Sequence, residues 1–312
     1  MKKILLVDDE QNVLNALRRE LKDHYDLVTF DNPAAALEQC RNIQFDLVVA
    51  DYKMPIMNGI EFLERFGRIQ PGVSRLVLSG ETDIDALIRM INETHIYRFL
   101  SKPWDKAELL NSIRQALAYR DTISKNRRQA MPTDSHAAHQ TLQDDAAFSI
   151  VLAESDDHLL NLMSRGLTDE SWDEGLYGVI QEEMEQDVPA SIFKCVVESF
   201  RSGQAALSYV NNNHCDLVIT AQTLSDMDGI KLLGKVRHIS PNTARILFTT
   251  NPDKLMLTQA VNEAEVENLL HFHWDIGEHH SNADRQAWNL HQLRTTAFQA
   301  LVCRELLLGN VY

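Results

Sequence analysis

The chain has 312 residues, 44% of them apolar, with 45 acidic against 30 basic side chains and a formal net charge of −15; this is enough chain for about two domains, each with a real core. Cys40, Cys195, Cys215 and Cys303 are scattered without Cys-x-x-Cys spacing, which argues against a disulfide framework or a zinc site. The apolar run before the acids at the amino end is only Ile4 to Val7, and no later run is long enough to cross a bilayer, so a cytoplasmic protein without a membrane partner is expected.

In chain order, short apolar runs alternate with amphipathic ones. Ile4 to Val7, Leu47 to Ala50, Leu76 to Leu78 and Tyr97 to Leu100 read as buried strands. Val13, Leu14, Leu17 and Leu21 recur at helical spacing, and Asp105 with Glu108 forms a capping pattern ahead of Leu109, Leu110, Ile113 and Leu117. Strict alternation of strand and helix implies right-handed crossovers and a parallel sheet covered on both faces, with its functional crevice beyond the carboxyl ends of the strands.

Residues 121 to 147 break the pattern and read as a helix extension, carrying Lys125, Arg127 and Arg128, followed by a linker around Pro132. From Ser149 onward the scaffold is written a second time. Phe45-Asp-Leu-Val-Val-Ala-Asp51 matches Cys215-Asp-Leu-Val-Ile-Thr-Ala221, and an offset of 170 aligns Gly59 with Gly229, Ser79 with Thr249 and Trp104 with Trp274. Near the start of the second copy the offset is 146, so about 24 residues have been inserted, placed at 165 to 189. That segment is densely acidic and contains Trp172, Leu176, Tyr177, Val179, Ile180 and Met184; it reads either as a solvated helical excursion or as a partner-binding element. A final helix is expected from Ser281 or Asn282 to about Leu308. The expected domains are 1 to 120 and 148 to 312, joined by 121 to 147.

Residues 1 to 130 hold 19 basic and 19 acidic side chains, leaving 11 and 26 for the rest. The acidic second half repels phosphate backbones, and no helix-turn-helix or zinc-finger pattern offsets it, so no nucleic-acid partner is expected.

In the first copy, four strand ends carry chemistry: Asp8 and Asp9, Asp51, Ser79, and Lys102. A parallel sheet puts these ends on one side, within reach of one ligand. Each alone has an ordinary reading, an Asp as a helix cap or Ser79-Gly80 as a turn. Together, three carboxylates call for a cation, because two unit charges ~4 Å apart repel by about 4 kcal/mol at an effective dielectric of ~20. All-oxygen ligands favour Mg²⁺, with Mn²⁺ able to replace it. With Lys102 adding positive charge, Asp51, central among the strands, reads as a nucleophile that takes up a phosphoryl group as an acyl phosphate.

These residues resemble the receiver domains of two-component response regulators: Asp8-Asp9, Asp51-Tyr-Lys-Met-Pro55, Gly59, Ser79-Gly80 and Lys102-Pro103 all stand in the family's places. The resemblance implies an α/β fold of two doubly wound parallel-sheet, flavodoxin- or CheY-like domains in tandem. It implies that Asp51 accepts phosphate from a histidine kinase or phosphotransfer protein. It further implies that Asp9, Asp51 and the Lys53 backbone carbonyl ligate the metal directly, with Asp8 acting through water. Ser79 and Lys102 would bind the phosphoryl group, Lys53 and Glu81 would tune its lifetime, and Phe99 would be the aromatic switch, although a strand aromatic is also ordinary core. The bond before Pro103 is usually cis in the family.

In the second copy Asp8 becomes Glu154, Asp9 becomes Ser155, Asp51 becomes Ala221 and Lys102 becomes Phe272; only Thr249 keeps its role. This half reads as a pseudo-receiver that phosphate cannot switch. Asp226 and Asp228 align with Ile56 and Asn58 and read as solvated loop acids in preference to a rebuilt metal site. His271, His273, His279 and His280 raise the question of zinc, but no carboxylate or cysteine is placed with them. The expected function is a phosphorylation-controlled adaptor whose second domain docks or regulates an unidentified effector. Homodimerisation, a phosphate sink or relay role, and service as the sensory part of a longer regulator with a cyclic-dinucleotide phosphodiesterase-like output remain open. No enzymatic activity is expected beyond self-phosphorylation from a phosphodonor and slow self-dephosphorylation.

Overall fold

The computed structural model describes residues 1–80, 84–94, 96–130, 147–168, 195–271 and 290–301, with backbone alone for 119–130. The first sheet contains β1 (Lys3–Val7), β2 (Asp26–Phe30), β3 (Leu47–Asp51), β4 (Ser74–Ser79) and β5 (Arg98–Ser101). All neighbours are parallel, in the order β2-β1-β3-β4-β5. The helices are α1 (Gln11–Leu21), α2 (Pro33–Gln39), α3 (Gly59–Ile69), α4 (Ile84–Thr94) and α5 (Lys106–Ala130). Because helices cover both faces, the central strands are buried at every position, as Leu47–Asp51 illustrates.

Successive strand residues face opposite ways and feed two layers of core. Ile4, Leu6, Leu47, Val49, Leu76 and Leu78 pack with Leu14, Leu17 and Leu21 of α1 and with Leu109, Ile113 and Leu117 of α5. Each such leucine, fully buried, contributes about 1.5–3 kcal/mol. The α5 start follows the capping pattern, with the Glu108 N–H donating to the Asp105 carboxylate at 2.9 Å. The helix runs past residue 120 to Ala130; residues 131–146 lie outside the described residues.

The second sheet has the same order, written β10-β9-β8-β6-β7. Its strands are β6 (Phe148–Ala153), β7 (Cys195–Phe200), β8 (Leu217–Ala221), β9 (Ala244–Thr249) and β10 (Asn268–His271). Its helices are α6 (Asp157–Thr168), α7 (Gly203–Asn212), α8 (Gly229–Ile239) and α9 (Lys254–Ala264), with a further helix over residues 290–301. Residues 165 to 168 belong to α6; the segment from 169 to 194, which holds nearly all of the expected insertion, lies outside the described residues. Leu293, Ala297 and Leu301 of the last helix are buried, and a Cβ at Gly166 on α6 would meet the Leu290 side chain at 2.5 Å.

The chain forms two compact units, one of Met1–Arg128 with Asp253–Asn262 and one of Gln129–Pro252 with Glu263–Tyr312. Within the first, the Asn262 carboxamide accepts from the Phe99 N–H at 3.0 Å and donates to the Phe99 carbonyl at 2.9 Å, so it pairs both backbone groups of this residue on an edge strand. No described helix is long and apolar enough to cross a membrane.

Candidate functional site

The strand order reverses between β1 and β3, and a crevice therefore opens beyond their carboxyl ends. Asp8 immediately follows β1 and Asp51 ends β3; both are buried, while Asp9 is exposed. One carboxylate oxygen from each of Asp8, Asp9 and Asp51 lies within 4.8 Å of the others. Lys102, just past β5, brings its ammonium to 2.7 Å from Asp8 and 2.6 Å from Asp51. Asp8 also accepts from the Glu10 N–H at 2.9 Å, and the Asp51 carboxylate is hydrogen-bonded by the Lys53 backbone. Ser79, buried at the end of β4, shares this rim, and its carbonyl accepts from the Lys102 N–H at 2.8 Å. The Lys102–Pro103 peptide bond is cis.

Burial raises the pKa of Asp8 and of Asp51, and the contacts with Lys102 offset this only in part. Burial also works against the charged form of Lys102, but its bonds to Asp51 and Asp8 hold its pKa above the ordinary value. Two buried carboxylates and an exposed one against one ammonium leave the pocket short of positive charge. This hard, all-oxygen donor set fits a divalent cation.

Gly59 permits the loop that closes over this site. Its N–H donates to the Tyr52 carbonyl at 2.8 Å, and a Cβ there would collide with the Asp51 carbonyl and stand 2.9 Å from the Tyr52 Cα. Phe99 is buried in β5. Trp104, which the sequence marked only as a repeat partner, donates its indole N–H to Glu20 at 3.0 Å, tying the loop after β5 to α1.

In the second copy the corresponding loops bond to one another directly. The Ser155 hydroxyl donates to the Arg201 carbonyl at 3.2 Å and accepts from the Ser225 N–H at 2.8 Å, bridging three loops. Glu154 is buried, its pKa raised by burial, and accepts from the Asp156 N–H at 2.7 Å. Ala221 ends β8 without a functional group. Thr249 is not left open: its hydroxyl donates to the Gln222 side chain at 2.5 Å and accepts from the Asn251 N–H at 3.2 Å.

Asp226 and Asp228 are loop acids, Asp226 exposed to solvent, and both also cap helices. Asp226 accepts from the Gly203 and Gln204 N–H groups at 2.8 and 2.9 Å, which lowers its pKa, and Asp228 caps α8 by accepting from the Ile230 N–H at 2.8 Å. Phe272, Trp274, His273, His279, His280 and Glu81 lie outside the described residues. His271 ends β10, and among the described residues the one acidic or imidazole cluster with metal-ligand spacing is that of Asp8, Asp9 and Asp51.

A family profile described as "Response regulator receiver domain" matches residues 4–114 and again 180–278. Over 114 residues, the chain is 33% identical to a hydrogenase transcriptional regulatory protein, HoxA, of Cupriavidus necator, covering 36% of this chain and 24% of that protein. The chain therefore spans about a quarter of the length of this curated relative. It is also 33% identical over 118 residues to the response regulator receiver protein CpdR of Brucella abortus, covering 38% of this chain and 98% of that protein. Among solved structures, the signal receiver domain of an HD domain-containing protein from Pseudomonas fluorescens Pf-5 is 36% identical, covering 39% of this chain and 98% of that one, with a TM-score of 0.38.

Proposed function

The chain belongs to the response regulator receiver domain family, and from that premise we propose that it accepts a phosphoryl group on Asp51 and signals through protein–protein contact. The observation that carries this reading is Asp51 itself, buried at the strand end between the Lys102 ammonium and the carboxylates of Asp8 and Asp9. An Asp51 oxygen attacks phosphorus in line as the bond to the leaving group breaks. Lys102 pairs with the charge that gathers on the phosphoryl oxygens, and the Ser79 hydroxyl donates to one of them. Asp8, Asp9, Asp51 and the Lys53 carbonyl would hold Mg²⁺, which when bound supplies positive charge against the phosphoryl oxygens. The donor is a histidine kinase or phosphotransfer protein.

The second copy keeps the scaffold, has no nucleophile, and spends its remaining hydroxyls on bonds within its own loops. It serves as a docking or regulatory module for an effector protein, and the chain turns over no substrate beyond its own phosphorylation and slow hydrolysis. The test is labelling with acetyl phosphate and Mg²⁺, followed by intact mass. One phosphoryl group is expected on the wild type and none on Asp51→Ala; undiminished labelling of that variant would refute the assignment.

A further inference from the structure

In the first unit a groove of about 730 Å³ lies between α2 and α3, and none of Asp8, Asp9, Asp51, Ser79 or Lys102 lines it. Its floor is apolar, built from Ala34 and Leu37 of α2, Met57 of the loop before α3, and Ile69 at the end of α3. Leu37 and Ile69 are only half-buried, so a ligand seated there would remove apolar surface from water. Along it stand the guanidinium groups of Arg41, just past α2, and of Arg65 and Arg68, in the last two turns of α3, against the one carboxylate of Glu38. Arg65 and Arg68 each hold a glutamate one turn back, Glu61 and Glu64, at 2.5 and 2.7 Å. Those pairs are exposed and screened, and they exchange readily for another anion. Arg41 has no ion pair among the described residues.

Local sequence explains why this gap is left open. In the second copy the matching loop is tied to α7: Asp226 accepts from the Gly203 and Gln204 N–H groups, and the Met227 side chain packs on Gly203. At an offset of 170 the first copy has Ile56, Pro33 and Ala34 in those places. Ile56 has no side-chain acceptor and stands 90% exposed, proline has no N–H to give, and the Ala34 N–H already donates to the Asn32 side chain at 2.9 Å. The same tie to α2 is therefore barred. An apolar floor is partly shared, since Ile239 in the place of Ile69 is 42% exposed, but the arginine positions there hold Asn211, Lys235 and His238. The guanidinium set belongs to the first groove.

We infer that this groove docks an acidic amphipathic helix of a partner protein, with the apolar face on Leu37, Met57 and Ile69 and the carboxylates on Arg41, Arg65 and Arg68. Two helices side by side make a trough for a third, and the volume falls in the range of ~300–1,000 Å³ of clefts that bury most of a ligand. Charge selects the partner, because guanidinium groups pair with carboxylates through two parallel hydrogen bonds. The half of the chain that carries the groove is balanced in charge, so the net −15 of the whole resides elsewhere and does not repel an acidic segment at this surface. No aromatic ring lines the groove to stack on a nucleotide base. The inference rests on neither Asp51 nor its phosphorylation, and it places an effector surface on the first copy as well as the second.

The experiment follows the fluorescence anisotropy of labelled synthetic helices titrated with the full chain. One probe, of about 18 residues, carries Leu at i, i+3, i+4 and i+7, Glu on both flanks and Ala elsewhere; the other has Lys in place of every Glu. The Glu helix should bind the wild type about tenfold or more tightly than the Lys helix, with an affinity that falls as salt is raised. Arg41→Glu combined with Arg68→Glu should weaken the Glu helix about tenfold or more and favour the Lys helix instead. Ala34→Gln, which puts the longer side chain of the second copy into the apolar end, should weaken the Glu helix with no change of charge. Circular dichroism like that of the wild type shows that the variants fold. Absence of binding, equal binding of the two helices, or Glu-helix binding that survives the double variant would overturn the inference. So would either competing occupant. A fluorescent ATP analogue bound in preference to the helix, and lost in the double variant, would make this a phosphate site. A wild-type dimer that the double variant abolishes in sedimentation velocity would make the occupant a second copy of the chain.

Discussion

At the scale of single residues, Lys102 compensates only part of the negative charge around it. Asp8 and Asp51 have folded pKa values above the ordinary 3.8, so the folded state retains protons that the unfolded chain has released. Stability therefore falls as pH rises from 3.8 through the raised folded values, and at neutral pH the whole penalty is present. Lys102 has the opposite sign: its raised pKa gives stability that is complete below 10.5 and lost as pH rises through the folded value. Mg²⁺ should therefore raise the thermal midpoint at neutral pH, adding about 2.7 kcal/mol of stability at a hundredfold excess over its Kd. The shift should shrink as pH falls into the carboxylate range and protons replace the cation. Scanning calorimetry with and without Mg²⁺ checks this, and a midpoint indifferent to Mg²⁺ at neutral pH would remove the metal from the site. Gly59→Ala drives a Cβ against backbone that cannot retreat and should cost roughly 1–3 kcal/mol in urea unfolding.

Among the elements, the duplication also preserves an arginine that sequence reading passed over, half-buried in the first copy and fully buried in the second. Arg75 donates to the Thr94 carbonyl at 2.7 Å, at the end of α4, and Arg245 donates to the Ala264 carbonyl at 3.0 Å, at the end of α9. Each cation completes a helix C-terminus whose last carbonyls lack intrahelical partners. The two arginines are 170 positions apart, so their agreement was available in the alignment, but nothing in the sequence said that each would reach back to a helix end.

Arg245 is fully buried and also pairs with Glu267 at 2.7 Å, whose pKa burial pushes up to about 7. Removing the guanidinium leaves that carboxyl and several carbonyls without it, so Arg245→Met should cost about 3–5 kcal/mol. Arg75→Met, in a less buried setting, should cost about 1–3 kcal/mol. Native-state hydrogen exchange over residues 244–271 and 74–101 separates the two. Glu267→Gln should flatten the loss of stability with rising pH between 4.5 and about 7, read as urea midpoints across that interval; an unchanged slope would deny the burial effect.

Taken as a whole, the molecule carries one acidic pocket and a second copy of the scaffold in which Ala221 stands in place of Asp51. Ala221→Asp in the full chain should add no second phosphoryl group, because the neighbouring positions carry Glu154 and Ser155 in place of the acid pair and Phe272 in place of the lysine. Intact mass after acetyl phosphate treatment decides this; a doubly labelled chain would show that the second pocket needs only a nucleophile. Beryllium fluoride with Mg²⁺ mimics the phosphoryl group on Asp51, and a non-kinase protein recovered preferentially in that state would identify the effector. Recovery of a kinase or phosphotransfer protein alone would favour a sink or relay.

The sequence by itself determined the tandem α/β architecture and the acidic pocket. Parallel strands covered on both faces must be apolar throughout, and their carboxyl ends must share one side, so Asp8, Asp51, Ser79 and Lys102 could be brought together from their positions alone. It did not mark β2 or β7, because each is an edge strand, partly exposed and without a continuous apolar run. Tertiary structure alone decided what became of the polar residues in loops. Asp226 and Asp228 became caps, Ser155 a bridge, and Thr249 a partner of Gln222, while Ile56 was left in solvent. A short polar side chain has several partners of similar energy, and its choice among them depends on which loop folding brings within 3 Å.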